Sequence, residues 1–434
     1  MASPNLYVRS TDGSDADNGT TWALAKASVA GAAAIDSTTD NRIWVSDNHA
    51  ESNAATQSWT FAGTAASPTW VVCVDDTSDP DPPIAVALTA TCTTTGAFGF
   101  ALNGFCYIRG LTFNVGTGAV NASLAIDQTP AATFVTFDTA TINIVCTGSS
   151  SGLTVGGTAN TNPARVVFKD TTISFGAAAQ GIRVSLGNVE WYGGALGTSP
   201  DLTSGLILPN STGESARAII SGVDLTEVGV TGSLVGKTSG APAQVVFRDC
   251  KIPAWTTGGL YTGTLQPGDR IEMYNCDSAD TNYRLWIADY WGDIKSDTAV
   301  YNDAGADDGS AQGFSWQMVS VANAEFPHQV LVSGEIVKWN DTTTGTLTAT
   351  VEIVHNSQGG GTGGALLDSE IWLEVMCMDP GATPTGKWQS DACANLNLNS
   401  NAADQASSSA TWTGDAAGWD TQKLVVSFTP KEKG

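Results

Sequence analysis

A short alternation of apolar and variable positions recurs along the first two thirds of the chain, and each copy ends at a turn residue. The copy Val166–Ile173 reads Val-Val-Phe-Lys-Asp-Thr-Thr-Ile, with its turn at Asp170. Such a period of two is typical of a β-strand with one buried face. Val245–Ile252 and Cys106–Phe113 repeat the pattern closely, and residues 135–142, 189–196, 218–225 and 271–278 repeat it more loosely.

The turn positions return at a nearly constant distance. Their separations are 29, 31, 23, 29, 27 and 26 residues, and the positions are Gly110, Thr139, Asp170, Gly193, Gly222, Asp249 and Asn275. Ile43–Asp47 and Val71–Asp75 extend the series towards the N-terminus. Because one strand cannot bury its apolar face alone, this period predicts stacked coils that share one core. The expected fold is a parallel β-helix, and an antiparallel β-sandwich is the alternative.

Two columns of predicted inward positions are apolar throughout. The column four residues before the turn is Ile43, Val71, Cys106, Val135, Val166, Val189, Ala218, Val245 and Ile271. The column two residues before the turn is Val45, Cys73, Ile108, Phe137, Phe168, Trp191, Ile220, Phe247 and Met273. These columns predict the hydrophobic core.

The column three residues before the turn should face outward, yet much of it is apolar. Its apolar members are Trp44, Val72, Tyr107, Val167, Ile219 and Val246. An apolar stripe along a solenoid is a candidate contact with another chain. We therefore predict these six residues as oligomer-interface candidates, with cover by loops of the same chain as the alternative.

The two ends of the repeat region differ in pattern. Residues 20–34 are rich in alanine and predict a short helix with a threonine N-cap, which would close the N-terminal end of the stack. Residues 301–310 are polar and read as a linker. The sequence thus predicts an all-β protein with an N-terminal cap (1–42), a parallel β-helix (43–300) and a C-terminal β-sandwich of jelly-roll type (311–434).

Composition narrows the choice of partners. The chain has 434 residues, 43 Asp and Glu against 19 Lys and Arg, and a net charge of −24. So acidic a chain repels phosphate, which argues against nucleic acid as a partner. No run of 18 apolar residues is present, so we predict no membrane contact. The N-terminus lacks the basic and apolar regions of a secretory signal, so we expect a cytoplasmic site of synthesis.

Chemical motifs are sparse. The carboxylates of Asp249 and Glu272 fall on adjacent predicted coils, and glycoside hydrolysis uses such pairs, but a structural role for each, as a turn residue and an outward side chain, is the stronger explanation. The three histidines are far apart in sequence and predict no metal motif, and no cofactor fingerprint is present. Cys250 and Cys276 each follow a turn residue, so adjacent coils should bring them close, and we predict reduced thiols there. The sequence thus predicts no catalytic residues, no metal and no cofactor.

Aromatic residues offer an alternative binding chemistry. Trp255 and Tyr261 lie late in the repeat region, and Trp388 and Trp412 lie in Gly- and Ser-rich parts of the C-terminal domain. A tryptophan face suits a pyranose ring, so these four are sugar-binding candidates. Packing at the junction between the domains is the competing explanation.

Several segments resemble a known group of proteins. Tyr7–Trp22, the alanine-rich stretch after it and Ile43–Ser46 look like the start of pectate-lyase-like right-handed β-helix proteins of tailed bacteriophages. Phe314–Ser320, Ile371–Val375 and Leu424–Gly434 are similar to the C-terminal domain of such virion proteins. The resemblance implies a virion structural protein, often trimeric, that either decorates the capsid or forms a tail spike.

We expect a capsid decoration (cement) protein on the capsid surface, with the major capsid protein as partner and a homotrimer as assembly. The repeats begin soon after the N-terminus, whereas tail spikes usually start with an adaptor domain. The alternative is a tail spike or fibre that binds, and in some cases cleaves, a host surface glycan.

Overall fold

The computed structural model describes most of residues 5–297 and, beyond them, only strands. The described ranges are 5–36, 41–78, 80–83, 85–126, 132–156, 164–209, 216–237, 242–266, 268–278, 282–289 and 292–297. The chain divides into two compact units, Met1–His328 and Gln329–Gly434. In its described part it is an all-β protein with one α-helix.

The first unit is built from three ladders of parallel strands. Ladder 1 contains β1 (Asn5–Val8), β2 (Arg42–Ser46), β5 (Thr69–Val74), β8 (Phe105–Arg109), β11 (Thr133–Asp138), β14 (Ala164–Phe175), β16 (Gly187–Leu196), β18 (Ala216–Ser221), β20 (Ala243–Arg248) and β22 (Arg270–Asp277). Ladder 2 contains β3 (Ala50–Asn53), β6 (Thr91–Thr94), β9 (Thr112–Val115), β12 (Thr141–Ile144) and the second halves of β14 and β16. Ladder 3 contains β4 (Gln57–Thr60), β7 (Phe100–Asn103), β10 (Ser123–Ile126), β13 (Gly152–Val155), β15 (Ile182–Val184), β17 (Ile207–Pro209), β19 (Ser233–Lys237) and β21 (Gly259–Gly263).

Successive strands of the sequence visit the ladders in turn. For example, β11, β12 and β13 belong to ladders 1, 2 and 3, and the chain then returns to ladder 1 through β14. Residues one repeat apart therefore lie side by side, such as Phe137 beside Phe168. This pairing is the register that the sequence columns predict for β8 to β22.

From β8 to β22, the turn residue of each ladder 1 strand has a left-handed backbone conformation. All seven predicted turn positions from Gly110 to Asn275 have φ between 45° and 75°. Glycine adopts this conformation freely, and Asn and Asp adopt it more readily than other residues. The sequence places one of these three at six of the positions, and Thr139 is the exception. The recurring turn residue is thus explained by the backbone.

The predicted core is confirmed. Every residue of the two inward columns is buried, with an exposed fraction of 2% or less. The column two residues before the turn also brings aromatic rings together: Phe137 stacks on Phe168 with ring centroids 5.5 Å apart, and Phe168 meets Trp191 edge-on at 6.0 Å. A continuous hydrophobic spine therefore runs along ladder 1.

One part of the predicted register is wrong. The columns paired Val71 with Cys106, whereas the structure pairs Val71 with Ile108, a shift of two residues between β5 and β8. The backbone groups at the end of β5 are already used, because Cys73 and Asp75 bond to residues 85–87 of the following loop. A two-residue shift keeps the same side chains inside, so the core composition is unaffected.

The predicted helix over residues 20–34 is shorter than expected. A 3₁₀ turn covers Trp22–Leu24, and the α-helix α1 covers Val29–Ile35. Lys26 between them is extended and bonds through its N–H to the carbonyl of Tyr7, which prevents one continuous helix. The N-cap is Ser28, whose hydroxyl accepts a hydrogen bond from the Gly31 N–H at 2.9 Å. The α1 residues Val29, Ala32 and Ala33 belong to the main core, and α1 packs on β1, β2 and β4.

Parallel pairing ends at β22. The strands β23 (Asn282–Asp289), β24 (Gly292–Asp297) and β25 (Ser315–Ser320) continue from it in antiparallel order. The sequence assigned β25 to the C-terminal domain (311–434), but it pairs with β24 inside the first unit. The predicted linker, residues 301–310, lies outside the described residues.

The second unit is described through six antiparallel strands in two sheets. One sheet has the order β26 (Leu347–His355), β31 (Asp420–Pro430), β30 (Gln405–Gly414). The other has the order β27 (Glu374–Met378), β28 (Trp388–Ala394), β29 (Asn397–Asn399). The sequence at 345–354, which alternates polar and apolar residues, overlaps β26, and the apolar-rich segments 370–376 and 423–429 overlap β27 and β31.

Candidate functional site

The outward side chains of ladder 1 form a continuous face from β8 to β22, which we call the outer face. Its edge column, one residue before the turn, is Arg109, Asp138, Lys169, Tyr192, Ser221, Arg248 and Tyr274. Its centre column is Tyr107, Thr136, Val167, Glu190, Ile219, Val246 and Glu272. Its far column is Phe105, Phe134, Arg165, Asn188, Arg217, Gln244 and Arg270. Six steps of about 4.8 Å make this face about 29 Å long.

The predicted apolar stripe is partly covered by the chain itself. Val72 is 6% exposed and packs in a small cluster with Tyr7 and Trp22 from the N-terminal segment. Val167 is 4% exposed and lies between Thr136 and Glu190 of the neighbouring strands. Both interface candidates are inaccessible: the N-terminal segment of the same chain packs against Val72, and Val167 is buried on its strand.

The remaining interface candidates stay accessible to different degrees. Ile219 is exposed, at 41%, whereas Trp44, Tyr107 and Val246 are half-buried. Ile219 lies beside Val246, and the ring of Tyr192, one strand away, is also 41% exposed. We call Tyr192, Ile219 and Val246 the apolar patch.

Charge on the outer face differs from charge on the whole protein. Six of its side chains are cationic: Arg109, Arg165, Lys169, Arg217, Arg248 and Arg270. Three are carboxylates, namely Asp138, Glu190 and Glu272, and the turn residues Asp170 and Asp249 lie at its edge. The outer face therefore has no excess of negative charge, although the chain carries −24.

Cross-strand contacts hold the side chains of the outer face in place. Arg165 donates two hydrogen bonds to Glu190, at 2.8 and 3.0 Å, and its guanidinium lies 4.6 Å from the ring centroid of Phe134. Tyr107 donates its hydroxyl hydrogen to Asp138. Paired charges and stacked rings restrict rotamers before a partner arrives, so binding costs less side-chain entropy.

Protonation on the outer face is also fixed. Burial, followed by the hydrogen bond and charge of Asp138, raises the pKa of Tyr107 above its ordinary value. Burial and then the charge of Glu190 raise the pKa of Tyr192. The hydrogen bond to Glu190 raises the pKa of Arg165. Both tyrosines therefore stay neutral and the arginine stays charged at physiological pH.

The structure separates the sugar-binding candidates. Trp255 packs against the core, with ring centroids 6.2 Å from those of both Tyr283 and Trp286. Tyr261 also packs against the core from β21. Trp388 is the first residue of β28, and Trp412 lies in β30. The side chains of both are outside the described residues.

The two candidate carboxylates of adjacent coils do not form a pair. Asp249 accepts a hydrogen bond from the Asn275 side chain at 2.6 Å, as expected of turn residues in neighbouring coils. Glu272 accepts hydrogen bonds from Arg270 and Tyr274, and lies beside Val246 rather than Asp249. Both carboxylates are therefore occupied in structural contacts.

Cys250 and Cys276 lie in adjacent coils, as the sequence predicts, and both are free thiols. The backbone N–H of Cys250 points at the sulfur of Cys276, with a nitrogen–sulfur distance of 3.4 Å. The thiol of Cys250 donates to the Arg248 carbonyl at 3.2 Å. Both are buried, so they pack as small apolar residues.

A buried polar cluster of His49, Glu51 and Cys92 was missed by the sequence reasoning. Glu51 in β3 lies beside Cys92 in β6, and both face inward. One ligand atom from each residue lies within 4.8 Å of the others, and all three side chains are buried. The His49-x-Glu51 spacing, which puts two polar residues on one strand face, was the available signal. Burial, and then the charge and hydrogen bond of Glu51, raise the pKa of the Cys92 thiol well above its usual value.

Comparisons with known proteins identify no family for this chain. No family model matches the chain, and no curated protein matches it. Among solved structures, two crystal structures of a GH136 lacto-N-biosidase from Eubacterium ramulus, the native protein and a selenomethionine derivative, are similar at 10% identity and TM-scores of 0.32 and 0.33. The matches cover 57% and 63% of this chain but only 56% and 57% of those chains. Similarity at this level carries no functional argument. None of the helices in the described part of the chain has the length and hydropathy to span a bilayer.

Proposed function

We propose that this chain is a non-enzymatic virion structural protein of the capsid-decoration type, built as a right-handed parallel β-helix with a jelly-roll-like C-terminal domain. The parallel pairing in three ladders supports the first domain, and right-handed crossovers are the rule for parallel strands. The two antiparallel sheets of the second unit are compatible with a jelly roll. The resemblance to phage virion proteins supplies the biological setting.

The charge and exposure of the outer face are the observations that support a binding role. Two subunits of charge −24 repel one another over most of their surface, and they approach most easily where negative charge is in balance. The outer face meets this condition and exposes the apolar patch at the same place. Burial of apolar area there contributes about 25 cal/mol per Å² before association costs. The proposed assembly is a homotrimer that contacts itself through the apolar patch and adds contact area on the capsid surface.

Oligomeric state tests the self-association directly. The variant Ile219→Asp places a charge in the apolar patch, and Val230→Asp is a matched control because Val230 is 44% exposed and lies outside the outer face. Light scattering after size exclusion should give a trimer for the unchanged protein and for Val230→Asp, and a monomer for Ile219→Asp. A monomeric unchanged protein, or a trimeric Ile219→Asp, would contradict the proposal.

Binding to virus heads tests the capsid role. Undecorated heads of the phage that encodes the chain should sediment with the purified protein at a saturable ratio. Heads already carrying the protein should bind no more. A protein that stays in the supernatant with undecorated heads refutes the decoration role.

One observation favours a second candidate, a tail spike that binds host glycan. Trp70 is 39% exposed and its ring lies 4.4 Å from that of Tyr107, so the pair offers an aromatic surface to a sugar. Incubation with host capsule or lipopolysaccharide, read by a reducing-end assay and by calorimetry, discriminates the two roles. A saturable heat of binding that is lost in Trp70→Ala supports the tail spike. The absence of any binding heat supports the decoration role.

A further inference from the structure

The cluster of His49, Glu51 and Cys92 lies where a solenoid core is normally apolar. Glu51 and Cys92 are neighbours in ladder 2, and the next residue in that inward row is Phe113. Glu51 is thus a carboxylate inside a hydrophobic column, with 7% of its surface exposed. Burying a charged group without compensation is costly, so such a site calls for a cation or a proton.

Hydrogen bonds within the protein leave the cluster incompletely satisfied. Glu51 Oε2 accepts from the Val29 N–H at 3.2 Å, but Glu51 Oε1 has no partner. Both ring nitrogens of His49 are buried and lack a hydrogen-bond partner. His49 Nε2 lies 3.3 Å from Glu51 Oε2, close enough for an ion pair but without hydrogen-bond alignment. Each such buried polar atom costs about 1–3 kcal/mol when unsatisfied.

We propose that His49, Glu51 and Cys92 form a structural zinc site. Imidazole, carboxylate and thiolate are the three ligand types that zinc takes in proteins, whereas magnesium and calcium prefer oxygen alone. Zinc–ligand bonds of about 2.0–2.3 Å in a tetrahedron separate the ligand atoms by about 3.3–3.8 Å. The 3.3 Å between His49 Nε2 and Glu51 Oε2 already matches that value. The remaining separations, all within 4.8 Å, close by side-chain rotation.

The position of the site gives it a role. His49 directly precedes β3, Glu51 lies in β3 and Cys92 lies in β6. Glu51 also accepts a hydrogen bond from the N–H of Val29, the first residue of α1. Zinc would therefore join two coils and the helix at the N-terminal end of the stack. A strand ladder whose terminal strand has an unpaired edge gains the most stability from such a cross-link. The fourth tetrahedral position remains for a water molecule or another buried donor.

Metal content and cobalt spectroscopy test the site on the full-length protein. Protein produced in zinc-supplemented medium should contain about one zinc per chain by elemental analysis. After chelation, Co²⁺ should give visible d–d bands of tetrahedral intensity and a near-ultraviolet thiolate-to-cobalt band. Cys92→Ala should lose the metal and both signals, whereas Cys106→Ala, which removes an equally buried thiol outside the cluster, should keep them.

A second variant keeps the test decisive if Cys92→Ala fails to fold. His49→Gln retains the thiol but removes the imidazole, and it should lose most of the bound metal. Chelation of the unchanged protein should also lower its thermal midpoint, and added zinc should restore it. Folded protein with no zinc and no cobalt spectrum, or Cys92→Ala and His49→Gln with an unaltered spectrum, would overturn the zinc site. These readouts do not depend on the oligomeric state.

Discussion

The ring of Phe168 is the most informative place to perturb the stack. It is fully buried, stacks on Phe137 at 5.5 Å and meets Trp191 edge-on at 6.0 Å. Truncating a buried phenylalanine to alanine costs about 3–5 kcal/mol. Each lost ring contact accounts for about 0.5–1.5 kcal/mol of the effect. The surrounding backbone is fixed by ladder pairing on both sides, so the cavity closes poorly, and we expect about 4 kcal/mol for Phe168→Ala.

The matched control is Phe98→Ala in the segment before β7. Phe98 also carries an aromatic ring, but it lies outside the outer face and is 40% exposed. Its truncation should change the free energy of unfolding by about 0.5 kcal/mol or less. Denaturant unfolding read by tryptophan fluorescence and by far-ultraviolet circular dichroism measures both variants. A loss below about 1 kcal/mol for Phe168→Ala, or equal losses for both variants, would refute the buried spine.

Three further predictions concern charges and turns. Asp269→Ala removes a buried carboxylate that lies 3.0 Å from Lys237 and accepts hydrogen bonds from two backbone N–H groups, so it should cost about 3–5 kcal/mol. Glu190→Ala, at an exposed ion pair, should cost about 1 kcal/mol or less, and chemical denaturation compares the two variants. Burial and the neighbouring carboxylate raise the pKa of Tyr107, so the unfolded chain loses this proton first. The free energy of unfolding should therefore fall above about pH 10, and fall less in Tyr107→Phe; equal falls would count against it. Gly222 has a φ of 66° and open space where the methyl group of an alanine would lie. Gly222→Ala should therefore lower the free energy of unfolding by about 1–2 kcal/mol through backbone strain alone, and Gly222→Asn should lower it less; chemical denaturation measures both.

The architecture of ladder 1 was predictable because it depends on local chemistry repeated many times. A residue such as Phe168 repeats the apolar position of Phe137 one coil earlier, and the turn after it requires a residue that tolerates positive φ. Both signals are visible in sequence letters. The slip between β5 and β8 was not visible, because it depends on a loop that bonds to the end of β5.

The exposed fraction of the side chains on the outer face was harder to predict from the sequence than the direction in which they point. Val72 and Val167 point outward as expected but are buried, and at Val72 the cover comes from Tyr7 and Trp22, a tertiary contact that no local pattern encodes. The cluster of His49, Glu51 and Cys92 was hidden for another reason. Cys92 is far from His49 and Glu51 in the chain, and the strand around Glu51 has no apolar alternation, so only the pairing of β3 with β6 brings the three together.

The central claim is that ladder 1 is a linear stack in which each repeat advances by one strand spacing. Spin labels on a genetically encoded amino acid at Arg109, Ser221, Arg248 and Tyr274 measure it, since these side chains occupy one register column of the outer face. From Arg109, pulsed dipolar spectroscopy should give backbone separations of about 19, 24 and 29 Å in that order, an increment of about 4.8 Å per strand. Distances that fail to grow along the series, as a closed barrel or an antiparallel sandwich would produce, would contradict the account.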